Sequence, residues 1–198
     1  MTKFDCFIKR LFDLALSSIG LIICIPLILI AWFLASVDTK SNGMFIQKRV
    51  GMHGKLFNVY KIKTMKPIAG VTTTVTQRLD PRITKLGFIF RKAKIDELPQ
   101  LWNVFLGDMS FVGPRPDVPG YADRLVGEEK AILMIRPGIT GPATLKYRNE
   151  EELLAQQSDP EIYNLKVIWP DKVKINLDYI STWSLSNDIK YILKTVFH

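Results

Sequence analysis

The chain has 198 residues, 47% of them hydrophobic, and its 27 Lys plus Arg against 19 Asp plus Glu give a net charge of +8, with an isoelectric point near 9.5. That composition excludes a disordered or collagen-like chain, and two cysteines, Cys6 and Cys24, exclude a disulfide-stapled secreted fold. The length suits one domain of ordinary size with its own core.

From Leu14 to Val37 the chain runs 24 residues without a charge, and a helix of that length, roughly 36 Å, is enough to cross a hydrocarbon core. Pro26 falls near its middle, where it removes a backbone hydrogen bond and predicts a kink or break. Lys3, Lys9 and Arg10 precede the run, and Lys40, Lys48, Arg49 and Lys55 follow it, so basic residues flank both ends. A segment that enters the membrane, turns at Pro26 and leaves on the same face satisfies both flanks. The expectation is a re-entrant helix-break-helix over residues 1–40, against the alternative of a simple spanning anchor. The run is too long for a signal-peptide core of about 7 to 15 residues.

Met44–Gly51 and Lys55–Lys63 alternate around Gly51 and Gly54 and predict a small β-hairpin. The hairpin opens the most basic part of the chain: residues 41–94 carry twelve basic groups and a single acid, Asp80. Such a stretch calls for an anionic partner, whether nucleic acid, a phospholipid surface or a phosphorylated small molecule. Residues 67–80, with Thr72-Thr73-Thr74, read as a surface loop. Leu86, Phe88, Ile89 and Phe90 start a helix that ends in Arg91-Lys92-Ala93-Lys94. A second helix begins at Pro99, with Leu98, Leu101, Trp102 and Phe105 as its expected buried stripe.

Two shaped loops follow, Gly113-Pro114-Arg115-Pro116 and Arg136-Pro137-Gly138-Ile139-Thr140-Gly141-Pro142, and structural turns are their default reading. Asn149 and the acids Glu150, Glu151 and Glu152 read as a helix start. From Ser184 onward Leu185, Ile189, Ile192, Leu193, Val196 and Phe197 keep helical spacing, as a helix facing either the core or a membrane surface. The fold class is α/β, mostly helical with a small β-hairpin, with interfacial amphipathic helices beside the membrane segment.

A Ser-His-Asp triad is poorly supplied, because the only histidines are His53 and His198. Cysteine catalysis and a zinc site fail for want of clustered Cys and His. Carboxylates beside a basic surface remain. Asp96 and Glu97 are adjacent at a helix start and diverge by about 100°, so they can divide two roles around one ligand. The helix N-terminus with Arg91, Lys92 and Lys94 is expected to keep both ionised. An ionised Asp can attack phosphorus while a neighbouring Glu holds Mg²⁺. The plain alternative is that the two acids cap the helix and pair with Arg91 and Lys94.

Taken in order, Lys9-Arg10-Leu11-Phe12-Asp13, the apolar run with Pro26, Phe45-Ile46-Gln47-Lys48-Arg49-Val50-Gly51, Lys61-Ile62-Lys63-Thr64-Met65, Asp96-Glu97-Leu98-Pro99-Gln100, Gly107 through Pro116 and Arg136 through Gly141 resemble the bacterial sugar transferases, the monotopic phosphoglycosyl transferases. The resemblance spans nearly the whole chain. It implies transfer of a phospho-sugar from a UDP-sugar to undecaprenyl phosphate, a polyprenyl phosphate, giving a polyprenyl-diphosphate-sugar and UMP as the first membrane step of glycan assembly. It also implies Mg²⁺ and a covalent aspartyl intermediate. By the same resemblance Asp96 is the nucleophile, Glu97 its partner on the metal, and Arg91 a phosphate ligand. Lys63, Arg115 and Arg136 then bind the diphosphate or the lipid phosphate. Residues 41–198 become a catalytic domain on the cytoplasmic face of the bacterial inner membrane.

Two positions depart from the family pattern. Ile25 rather than Ser precedes Pro26, and Asn176 stands where many members carry an acid, with Asp178 close by. Sugar specificity is expected in loops such as 67–80 and 116–130. The rival readings are a membrane-tethered polyanion-binding module without catalysis and a phosphatase working through an aspartyl phosphate. No nucleic-acid motif interleaves the basic residues, and no pattern argues for a dimer or a partner transferase.

Overall fold

The computed structural model describes residues 1–67 and 80–197; most of the expected loop 67–80 lies outside these. The first helix, α1, runs from Lys3 to Thr39. A reciprocal cap starts it: the Asp5 amide donates to Thr2 Oγ1 at 3.1 Å, and the Thr2 amide donates to Asp5 Oδ2 at 2.6 Å. Pro26 sits inside α1, and helix continues on both sides of it. The expected division into two helices at Pro26 is therefore absent. Proline lacks its own N–H, which deprives the Ile22 carbonyl of a donor, and the apolar residues around it, isoleucine and leucine for the most part, stay helical. Among the described residues α1 alone is long and apolar enough to cross a membrane.

Both ends of α1 pack on the rest of the chain. Near its start, Lys9 pairs with Asp188 at 2.5 Å, and Asp13 accepts bonds from Ser110 Oγ and the Phe111 amide. Near its end, Ala31 and Ala35 pack with Ile62 and Phe90. Between them Ile22, Ile23, Ile25, Leu27, Leu29 and Ile30 are exposed.

The expected hairpin forms as β1 (Met44–Val50) paired antiparallel with β2 (Leu56–Ile62), in register from Met44 opposite Ile62 to Val50 opposite Leu56. His53 and Gly54 carry positive φ in its turn, where glycine adds no steric cost. Next come α2 (Lys85–Lys92), a 3₁₀ turn at Ile95–Glu97 and α3 (Gln100–Leu106). Strand β3 (Ser110–Val112) pairs in parallel with β4 (Gly138–Thr140). Between these strands, in and after the expected loop 116–130, lie 3₁₀ turns at Ala122–Arg124 and Gly127–Met134. Helices α4 (Pro142–Lys146), α5 (Glu150–Ala155), α6 (Pro160–Tyr163), α7 (Trp169–Ser181) and α8 (Leu185–Val196) complete the chain. Val50, Ala122, Ile132, Leu133 and Val173 form one core cluster under α7, and Val59, Val104 and Met109 another under α3.

The face of α3 differs from the expected stripe. Its buried residues are Gln100, Leu101, Asn103 and Val104, whereas Trp102 is 46% exposed and stacks on Phe105 at 5.6 Å. Asn103 is wholly buried because it completes β2: its Oδ1 accepts the Tyr60 amide at 3.2 Å, and its Nδ2 donates to the Asn58 carbonyl at 2.7 Å. A buried polar residue so satisfied displaces an apolar one. Helix α8 divides its apolar residues, with Ile192 against Val112, Ile135 and Tyr179, and with Ile189, Leu193, Val196 and Phe197 exposed.

Candidate active site

The turn that carries the two carboxylates is set by its neighbours. Lys94 takes a left-handed conformation at φ 57° and ends α2. Ile95 then anchors against Ala31, Ile62 and Phe90. This leaves Asp96 only 8% exposed, with its Oδ1 buried and without a hydrogen-bond partner. Glu97 turns the other way. Its Oε1 accepts Lys61 Nζ at 3.0 Å and Arg115 Nη2 at 3.2 Å. Lys61 comes from β2, which Asn103 ties to α3, and Arg115 comes from the loop after β3. Three separated segments thus meet at one carboxylate.

Electrostatics separates the pair, against the expectation that both acids are simply held ionised. Burial pushes the Asp96 carboxyl above its ordinary range, and the charge on Glu97 adds to this, with Lys61, Arg91 and Lys94 acting in opposition. Burial pushes Glu97 up as well, but Arg115, Lys61 and Lys94 together outweigh it and hold that carboxyl well below the usual range. Glu97 is a firmly ionised carboxylate, and Asp96 is a desolvated, more basic one whose Oδ1 is bonded to nothing.

Arg91, in the last turn of α2, donates from Nη2 to Glu151 Oε1 at 3.0 Å. The alternative in which Arg91 and Lys94 pair with the two acids is not adopted, although both cations act on Asp96 through space. Lys63 lies past the end of β2 and donates to Ser41 Oγ at 2.8 Å. Arg136 donates from Nε to the Gly107 carbonyl at 2.7 Å, at the far end of α3, where Arg10 also caps the Val104 and Phe105 carbonyls at 2.6 and 2.8 Å. The structure therefore joins Asp96, Glu97 and Arg115, keeps Arg91 close, and directs Lys63 and Arg136 elsewhere.

Lys61, Arg49 and Gln100 share a cleft with Arg115 and are not among the site residues expected from the sequence. Arg49, Lys61, Gln100, Arg115 and Pro116 line a small open cleft. The alternating cations of the hairpin were the available signal for Lys61 and Arg49. Asp117 follows Arg115 and Pro116; burial raises its carboxyl to about 6 despite Lys172, Arg49 and Arg115 nearby. Asn176 is buried on α7 with its Oδ1 unpartnered, and Asp178 is exposed and does not take that place.

Among the described residues no group of three or more His, Cys, Asp or Glu side chains forms a metal cage. Mg²⁺ seldom needs one, because it commonly binds one or two carboxylates together with substrate phosphates and water. The site fits that mode: Lys61 and Arg115 both engage Oε1 of Glu97, which leaves its Oε2 without a hydrogen bond, and Oδ1 of the preceding residue, Asp96, has no partner.

A family model described as bacterial sugar transferase matches residues 4–198. The chain is 36% identical over 205 residues to undecaprenyl-phosphate galactose phosphotransferase of Salmonella typhimurium, covering 96% of this chain and 40% of that protein. It is 35% identical over 193 residues to UDP-glucose:undecaprenyl-phosphate glucose-1-phosphate transferase of Caulobacter vibrioides, covering 95% and 68%. A protein of the same description from Escherichia coli K12 is 33% identical over 196 residues, covering 96% and 39%. The chain spans less than half the length of the Salmonella and Escherichia relatives and about two thirds of the Caulobacter one.

Proposed function

Because the chain belongs to the bacterial sugar transferase family, we propose that it moves a phospho-sugar from a UDP-sugar onto a polyprenyl phosphate such as undecaprenyl phosphate, yielding UMP and a polyprenyl-diphosphate-sugar. The observation that carries this reading is the buried, unpartnered Oδ1 of Asp96 beside a Glu97 held ionised by Lys61 and Arg115. Asp96 attacks the phosphorus that bears the sugar, the bond to the UMP oxygen breaks, and UMP departs. An oxygen of the polyprenyl phosphate then attacks the same phosphorus, and the bond to Asp96 breaks. A carboxylate kept from water and made more basic is a stronger nucleophile for the first step. Arg115 and Lys61 supply positive charge where the diphosphate sits, and Arg91 is next in reach once it leaves Glu151. Mg²⁺ held by Glu97 would neutralise charge on the phosphate oxygens.

The membrane side follows from α1. Its two ends rest on the same body, its middle is bare aliphatic surface, and its flanks are basic at both ends, which favours one and the same cytoplasmic side. A re-entrant course in which the continuous α1 bends about Pro26 rather than dividing there, with both its ends and residues 41–198 on the cytoplasmic face of the bacterial inner membrane, meets all three. The exposed Phe88 and Ile89 of α2, Trp102 and Leu106 of α3, and Leu193 and Phe197 by α8 suit the interfacial layer. In this reading Asp96 lies near a lipid-borne acceptor.

The test is UMP release from UDP-sugars by the full chain in detergent or nanodiscs with Mg²⁺. Release that requires both a polyprenyl phosphate and Asp96 supports the reading; inorganic phosphate released without a lipid acceptor supports a phosphatase instead.

A further inference from the structure

The loop that presents Arg115 is held from β1 by two consecutive residues. Arg49 Nη1 donates to the Pro116 carbonyl at 3.1 Å, and the Val50 amide donates to the Asp117 carbonyl at 2.9 Å. Gln47, two residues earlier and so on the same face of the strand, takes the rest of the Arg49 fork: its Oε1 accepts Nε at 3.1 Å and Nη2 at 2.7 Å. On its other side the loop is fixed to β4, where Gly113 donates to the Thr140 carbonyl at 2.9 Å and Gly138 donates to Pro114 at 2.8 Å. With a proline on each side of Arg115 restricting the backbone, these bonds set where its guanidinium reaches Glu97.

We propose that Arg49 is a positioning residue, which acts on the reaction through Arg115 by clamping the Pro116 carbonyl, with Gln47 fixing the direction of its guanidinium. The inference rests on the transferase reading above. A mere counter-charge for the diphosphate would need neither bond. Each of the three Arg49 nitrogens is already committed to an uncharged acceptor, and two of them to the same oxygen. The arrangement spends a guanidinium on geometry, as a rigid planar fork allows and an ammonium does not. It also brings Arg49 beside Arg115, a repulsion that the Gln47 and Pro116 oxygens offset.

The experiment is a double-mutant cycle on the full chain, reading kcat and KM for UMP release with UDP-glucose and UDP-galactose, polyprenyl phosphate and Mg²⁺. Arg49→Ala is expected to lower kcat about 10- to 100-fold, in the same parameter that Arg115→Ala lowers, as misplacement of a charged group does. The double variant is expected to fall within about twofold of Arg115→Ala alone, because the clamp has nothing left to position. Gln47→Leu should lose about tenfold, and Gln47→Glu, which keeps the acceptor oxygen, should restore most of it. Should Arg49→Ala fail to fold, the Gln47 pair combined with Arg115→Ala gives the same cycle. Losses that multiply in the double variant, or an unchanged kcat in Gln47→Leu, overturn the role. A wild-type chain that releases no UMP overturns the transferase reading and this role with it, whereas an active wild type with multiplying losses overturns this role alone.

Discussion

Lys61 reaches Glu97 across 3.0 Å, from a strand to a turn 36 residues later. That ion pair adjoins the cleft that Lys61 lines and helps hold Glu97 ionised, while the same ammonium also lowers Asp96. Replacing it with methionine removes one cation from both carboxylates, so both carboxyls move up. The acid limb of kcat/KM against pH is therefore expected to shift to higher pH in Lys61→Met, with turnover reduced on the order of 100-fold. A pH–rate profile that superimposes on wild type would remove Lys61 from the site.

Arg91 is engaged by Glu151, a half-buried pair of modest strength. A diphosphate must compete with that carboxylate for the guanidinium. Glu151→Gln is expected to lower the KM for the UDP-sugar several-fold with kcat little changed, and Arg91→Ala to raise it by ~10-fold. Steady-state kinetics over donor concentration reads both variants.

Asn103 bonds both a donor and an acceptor of β2. Truncation to alanine leaves the Tyr60 amide and the Asn58 carbonyl unpaired, at a cost of about 2–4 kcal/mol. The expected result is a lower melting temperature together with lost turnover, since β2 carries Lys61. Thermal unfolding of Asn103→Ala checks it.

Asp117 titrates at about 6 in the fold against an ordinary 3.8. A carboxyl whose pKa rises on folding binds its proton more tightly in the native state, so stability falls as pH rises from about 4 to 6 and levels above that. Asp117→Asn should remove this slope. Melting temperatures of wild type and variant are expected to converge toward pH 4 and to separate, with the variant higher, by pH 7.

The parts legible in the sequence are those whose signal is local. The Gly51–Gly54 turn announces the hairpin, Pro99 sits where α3 begins, and Asp96, Glu97 and Arg115 stand in short motifs. What escaped depends on distant partners. The cations of the hairpin look alike along the strand, and only the fold shows that Lys61 meets Glu97 while Lys63 turns to Ser41. The stripe of α3 misleads because the outward Trp102 is apolar, whereas the inward Gln100 and Asn103 are polar. Pro26 signals a break that the helix absorbs. Asp188, which gathers Lys9, Tyr179 and Trp183 in a buried cluster, gives no sequence sign at all.

The central claim is that Asp96 takes the phospho-sugar covalently. Its burial makes Asp96→Asn a near-isosteric change that removes a charge from a desolvated place, so the variant should keep the wild-type melting temperature while losing at least ~1,000-fold in turnover. The direct measurement is intact-protein mass after incubation with Mg²⁺ and UDP-sugars, without polyprenyl phosphate. A gain of one phospho-sugar is expected on the wild-type chain and is absent from Asp96→Asn. UMP release on adding lipid, with no adduct from any donor that supports it, would contradict the covalent route and point to direct transfer between the two substrates.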